Sequence, residues 1–227
     1  MPLRVAVLAS GRGSNLGALI ATRDAGRLPV QFVRVGSDKP DAGALALART
    51  AGIPEMVLEP AGFPSRADYD RALFARLADD RAELVVLAGF MRVLDGDAIA
   101  PWTGRIINIH PSLLPKYRGL HTHRRALRAG DTEHGASVHY VSAELDGGPL
   151  IAQARIPILP DDDEDALAAR LLHQEHRLLP AVVQLIASGR IALRGGQVQC
   201  DGQPLPVPLQ LGVDGLHSGA SGHTSAP

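Results

Sequence analysis

Three residues of the chain have side chains suited to one piece of chemistry: Asn108, His110 and Asp146. Asn108 and His110 close an apolar run, Arg105 to His110 (RIINIH), which Pro111 follows. A side-chain amide can donate hydrogen bonds to a developing oxyanion. An imidazole can carry a proton near neutral pH. A carboxylate beside that imidazole raises its pKa and fixes its tautomer. Donor, proton carrier and orienting acid are the parts an acyl-type transfer needs. The same residues are equally compatible with an Asn and a His at a strand end and an unrelated Asp in a turn.

Whether the three meet depends on the elements that carry them. Arg105 to His110 is β-branched and apolar, which predicts a strand. Side chains alternate along a strand, so Asn108 and His110 share one face and Ile107 and Ile109 the other. Pro111 ends the pairing. In open α/β sheets ligands bind at the carboxyl ends of strands, where this pair lies. Gly135 to Val141 and Pro149 to Ile158 predict two further strands. Glu144 to Gly148 is the connection between them, with glycines for positive φ. If that hairpin packs beside the Arg105–His110 strand, Asp146 reaches His110.

The N-terminal half alternates strand and helix. Leu3 to Ala9 predicts a buried strand, Ser10 to Asn15 a glycine-rich turn, and Leu16, Leu19 and Ile20 a helix closed near Gly26. Such a turn can bind phosphate through backbone N–H groups and the helix dipole. It is not a dinucleotide fingerprint, because Leu16 stands where the third glycine belongs. Taken alone, it is also an ordinary strand-to-helix turn. Val30 to Val35 and Glu83 to Gly89 predict further strands, the latter a continuous apolar run typical of parallel sheets. The alternation predicts an α/β, Rossmann-like fold: a mostly parallel twisted sheet, helices on both faces, and an antiparallel C-terminal portion. Asp161 to Asp165 opens a long helix, where the acids offset the dipole. Pro180 is expected to bend or divide it.

Several separated motifs then resemble those of the formyltransferases that use 10-formyltetrahydrofolate. They are Asn108-x-His-Pro-Ser-Leu-Leu-Pro115, His134-Gly-x-Ser-Val-His139, Asp146-Gly-Gly-Pro149, Ser10 to Asn15 (SGRGSN) and Leu87 to Arg92 (LAGFMR). The resemblance runs from Arg4 to about Pro206. It implies a formyltransferase fold and transfer of a formyl group to the amine of phosphoribosylglycinamide, in purine biosynthesis. It also implies Asn108, His110 and Asp146 as catalytic residues. Gly13, Ser14 and Asn15 would hold the acceptor's phosphate, and Glu175 its glycinamide part. Arg66, Met91, Arg92, Val93, Leu94 and Asn108 would contact the folate. No metal is implied, and the loose spacing of His110, His121 and His123 gives no familiar metal pattern.

Other readings remain. Methionyl-tRNA formyltransferases share an Asn-His-Asp site but usually add a basic C-terminal domain. Formyltetrahydrofolate hydrolases usually add an N-terminal regulatory domain. A phosphate-binding module without catalysis would leave the Asn108, His110 and Asp146 set unexplained.

The chain has 227 residues, enough for one domain plus a short extension. We expect a domain over 1–208 and a disordered tail over 209–227, where glycine and serine accumulate. With 23 basic and 24 acidic residues, the charge gives no case for nucleic acid or an anionic membrane as partner. Cys200 is the only cysteine, so no intrachain disulfide can form. No signal-like start and no apolar run of ~20 residues appears. The expected partners are therefore two small molecules, the folate co-substrate and the acceptor. The expected setting is the cytoplasm, as a monomer or weak homodimer.

Overall fold

The computed structural model describes residues 1–218. Its centre is a nine-stranded sheet. Five strands run parallel: β1 (Leu3–Leu8), β2 (Val30–Ser37), β3 (Glu55–Val57), β4 (Leu84–Leu87) and β5 (Ile106–His110). Their spatial order is β3-β2-β1-β4-β5. The middle strands are buried on both faces, which explains their unbroken apolar sequence. Alternation divides β1 between two cores. Val5, Val7 and Ala9 face one, while Ala6 and Leu8 face the other.

The first core is covered by α1 (Ser14–Asp24), α2 (Gly43–Thr50) and α6 (Glu164–Ala187). The second is covered by α3 (Arg66–Asp79) and α4 (Gly96–Ile99). Helices thus lie on both faces, as the alternation predicted. The chain goes from β3 across β1 to β4, so the strand order switches there. Past the carboxyl ends of β1 and β4 the two segments stay joined, with Ser10 N–H donating to the Gly89 carbonyl at 3.0 Å.

Past β5 the sheet turns antiparallel. The chain passes through α5 (Thr122–Ala129) to β6 (Glu133–Tyr140), which pairs with β5, and then to β7 (Leu150–Pro157). The β6 register sets Asn108 opposite His139 and His110 opposite Ser137. A separate three-stranded sheet holds β8 (Ile191–Arg194), β9 (Gln197–Cys200) and β10 (Gln203–Pro204).

Two expectations are corrected. Pro180 does not divide α6, which continues as a single helix through it. Leu178, Leu179, Val182 and Val183 are fully buried around the proline, and that packing offsets the lost backbone hydrogen bond. The domain also does not end at 208. β11 (Leu209–Leu211) pairs parallel with β7, and β12 (Leu216–His217) pairs with β11. Leu209 is buried against the sheet, which gives this polar segment an anchor its composition does not reveal. The rest of the expected tail, 219–227, lies outside the described residues.

Candidate active site

His110 is the last residue of β5, and its ring is almost wholly buried. The loop that follows is tied down by a buried polar network. Ser137 Oγ donates to the Ser112 carbonyl at 2.7 Å and accepts from Leu114 N–H at 3.1 Å. Gln153 Nε2 donates to the Leu114 carbonyl at 2.9 Å. These bonds fix the course of the chain to Tyr117, whose carbonyl lies 2.9 Å from His110 Nε2.

Asp146 arrives from the β6–β7 connection, with a left-handed backbone at φ 47°. Its Oδ2 accepts from Gly119 N–H at 2.9 Å and stands 3.4 Å from His110 Nδ1. The anticipated meeting of Asp146 and His110 therefore occurs. Asn108 lies beside them. Its Nδ2 is 3.2 Å from His139 Nε2 and 3.4 Å from Asp146 Oδ1. His139 Nδ1 donates to the Tyr140 carbonyl at 2.9 Å, which leaves Nε2 as the acceptor for the amide. The Asn108 amide orientation is thereby set. Its long contact to Asp146 leaves one N–H loosely held and available to a ligand.

The electrostatics amend one expectation. Burial pushes the His110 pKa down, and the Tyr117 carbonyl and Asp146 push it back up. The net position lies below the ordinary histidine value. Asp146 acts in the expected direction, but burial outweighs it. The ring nonetheless has acceptors at both nitrogens, an arrangement that only the imidazolium satisfies fully. Asp146 itself is pushed up by burial but held lower by His139, the Gly119 amide and His110, so that its pKa falls below the usual carboxylate range.

These groups open on a cavity of about 510 Å³. One end is built from loops: Met91, Arg92, Val93, Leu94, Leu120 and Leu145. Met91, Val93, Leu120 and Leu145 are exposed apolar side chains, so this wall presents hydrophobic surface to solvent. The loop after β4 is pinned at two points. Ser10 Oγ accepts from Met91 N–H at 2.9 Å, and buried Asp70 accepts from Asp95 N–H at 2.7 Å. The guanidinium of Arg92 stacks over Tyr69 at 4.5 Å. The other end is polar and helical: Asn15, His121, His123, Glu164 and Glu175. Asn15 Nδ2 donates to Glu175 Oε2 at 2.8 Å across α1 and α6. Burial raises the Glu175 pKa, and Asn15 partly offsets that.

Other anticipated residues stand apart from the cavity wall. Gly13 and Ser14 precede Asn15 at the start of α1 but do not line the cavity. Gly13 has φ 79°, and a Cβ there would lie 2.7 Å from Ala44 Cα. Close approach of α2 therefore requires this glycine, whatever it binds. Arg66 also lies off the cavity wall, half exposed and 4.0 Å from Asp95. Sequence reasoning gave no role to His139, Ser10 or Asp70. The register opposite Asn108 was the one signal for His139.

The chain was compared with known proteins. The family model described as formyl transferase matches residues 3–183. The phosphoribosylglycinamide formyltransferase of Escherichia coli K12 is 47% identical over 204 residues, covering 90% of this chain and 96% of that protein. The trifunctional purine biosynthetic protein adenosine-3 of Drosophila melanogaster is 49% identical over 188 residues, covering 82% of this chain and 14% of that protein. Among solved structures, phosphoribosylglycinamide formyltransferase from Coxiella burnetii superposes with a TM-score of 0.87 at 46% identity, covering 90% and 96% of the two chains. A formyltetrahydrofolate deformylase from Pseudomonas putida superposes with a TM-score of 0.79 at 28% identity, covering 88% and 70%.

Proposed function

The chain belongs to the formyl transferase family, and from that premise we propose that it transfers the formyl group of 10-formyltetrahydrofolate to the amine of phosphoribosylglycinamide, a step of purine biosynthesis. The observation that carries this reading is the convergence of Asn108, His110 and Asp146 at one wall of the cavity. The exposed apolar side chains at the loop-built end suit a flat heteroaromatic ring. Asn15 and Glu175 at the other end suit a polar, hydroxyl-bearing acceptor.

In the proposed reaction the acceptor nitrogen attacks the formyl carbon, and a new C–N bond forms. The formyl oxygen gains negative charge, which the loosely held Asn108 N–H and the His110 imidazolium offset. The bond from carbon to the folate nitrogen then breaks. The attacking amine loses a proton, and the departing nitrogen gains one, with His110 as carrier. To reach the substrate, His110 Nε2 gives up its hydrogen bond to the Tyr117 carbonyl. Ionised Asp146 stabilises the imidazolium while it exists.

The deformylase neighbour supports a second reading, in which water takes the formyl group and formate leaves. One assay separates the two. Purified protein is incubated with the formyl donor, with and without phosphoribosylglycinamide, and tetrahydrofolate and formate are measured. We expect tetrahydrofolate release to require the acceptor. Equal release without it, with stoichiometric formate, would overturn the transferase reading.

A further inference from the structure

Asp70 of α3 is fully buried, and the reaction above gives it no part. Among the described residues no basic side chain forms an ion pair with it. Arg66 of the same helix reaches Asp95 instead, at 4.0 Å. One carboxylate oxygen, Oδ2, accepts from the Asp95 N–H at 2.7 Å, and Oδ1 has no hydrogen-bond partner. Burial pushes the carboxyl above its usual range, although the Asp95 N–H, Arg92 and Arg66 draw it part of the way back. A buried charge with a single hydrogen bond destabilises a fold. An asparagine would accept the same bond without that cost. Stability alone therefore does not explain the acid.

Asp70 and its neighbour Tyr69 both act on the loop after β4. Tyr69 carries the Arg92 guanidinium over its ring at 4.5 Å, and Phe63 packs edge-on against that ring at 5.4 Å. Asp70 fixes the backbone at Asp95, and Ser10 Oγ fixes it at Met91. Between these anchors the chain is neither helix nor strand. The backbone N–H and carbonyl groups of Arg92, Val93 and Leu94 make no hydrogen bond among the described residues. A segment without ladder bonds of its own keeps its shape only through its anchors. All three residues line the cavity. Peptide groups so placed are satisfied by water or by a ligand, and the edge of a heteroaromatic ring has the donors and acceptors to pair with them.

We propose that Asp70 is a positioning residue of the donor subsite: its buried carboxylate holds the Asp95 end of this segment, so that the unpaired backbone of Arg92, Val93 and Leu94 is presented already ordered to the heteroaromatic ring of the formyl donor. The assignment rests on the donor half of the transferase reading. An ionised acceptor gives the Asp95 N–H a stronger bond than a neutral one, and 2.7 Å lies at the short end of the range for such bonds. Asp70 does not touch the ligand and acts through the backbone it holds.

The first test is amide hydrogen exchange, read residue by residue by NMR on the full-length wild-type protein, with tetrahydrofolate as the probe. We expect the Asp95 amide to be protected before any ligand is added, and at least one amide of Arg92 to Leu94 to slow when tetrahydrofolate binds. An unprotected Asp95 amide, or no response from those three, would overturn the proposal. The second test is kinetic. Asp70→Leu keeps a similar volume but removes the acceptor oxygen. It should raise the KM for the formyl donor about tenfold, the lower part of what an orphaned buried N–H costs, and leave the KM for the amine substrate within about twofold. Asp70→Asn returns a neutral acceptor oxygen and should recover most of the loss. Its urea midpoint should be no lower than that of wild type, because an unpaired buried charge is gone. A merely structural role would instead shift both KM values together, and that result, or equal donor KM values for the Leu and Asn variants, would overturn the assignment. If Asp70→Leu does not fold, the exchange result on wild type decides. Wild-type protein whose segment responds to tetrahydrofolate but which transfers no formyl group to phosphoribosylglycinamide would refute the transferase reading and leave the subsite standing. Transfer without any response of the segment would refute the subsite alone.

Discussion

Two histidine pairs flank the same cavity, and they differ in what lies behind them. His110 lies against Asp146, while His123 and His134 bond to each other and neither of those rings hydrogen-bonds to a carboxylate among the described residues. Both pairs are buried, so desolvation pushes protons off His110, His123 and His134 alike. The difference lies in the opposing force. Asp146 pulls the His110 pKa back up against burial, whereas no carboxylate hydrogen-bonds to His123 or His134 among the described residues. The same side chain thus sits beside a carboxylate at one site and against a second imidazole at the other.

The sharpest way to break this contrast is to remove the carrier. His110→Ala should lower kcat by at least 10²-fold, the lower range for loss of general acid–base help. Rates of formyl transfer at saturating substrates check this. A loss below about tenfold would mean that the proton moves by another route.

Asp146→Asn is expected to cost less, on the order of 10- to 100-fold, because the imidazole remains. Its pH dependence is more telling than its size. Asp146 raises the His110 pKa against burial, so removing the charge lets that pKa fall further. The protonated fraction near neutral pH then drops, and the alkaline limb of the pH–rate profile moves to lower pH. The acidic limb set by the acceptor amine should stay. Groups acting as a unit are not additive, so the double variant should be little worse than His110→Ala. An unmoved alkaline limb with additive losses would show that Asp146 does not work through His110.

Much of this was legible in the chain, for local reasons. Strand periodicity placed Asn108 and His110 on one face, and the glycine-flanked Asp146 marked the turn that brings it to them. The parts that were not legible depend on partners distant in sequence. His139 matters because the β5–β6 register sets it opposite Asn108. The net fall in the His110 pKa reflects how deeply the sheet buries the ring, which residue types cannot state. Gly13 reads as a phosphate-loop glycine, yet its tightest requirement is the approach of Ala44 from α2. β11 is three residues long and exists because the edge of β7 is available to pair with it.

The smallest expected effect concerns stability, and it tests the uncharged pair directly. His134 is held at about 4 by burial and by His123, against about 6.5 in an unfolded chain. Below pH 6.5 the unfolded state binds a proton that the folded state refuses, so stability falls as pH drops. The loss grows down to about pH 4 and levels off beneath it, at about 1.4 kcal/mol per unit of separation before solvent screening. His123 and His110 shift in the same direction, while Asp131 facing His134 opposes them. His134→Phe keeps a ring in place but has no proton to gain in either state. It also strips His123 Nδ1 of its partner, at about 1–3 kcal/mol. The variant should therefore be less stable than wild type at pH 8, and the gap should narrow as pH approaches 5. Urea unfolding of both proteins across that range measures it. A gap that stays constant with pH would mean that His134 carries a proton in the folded protein, and the contrast between the two histidine pairs would fail.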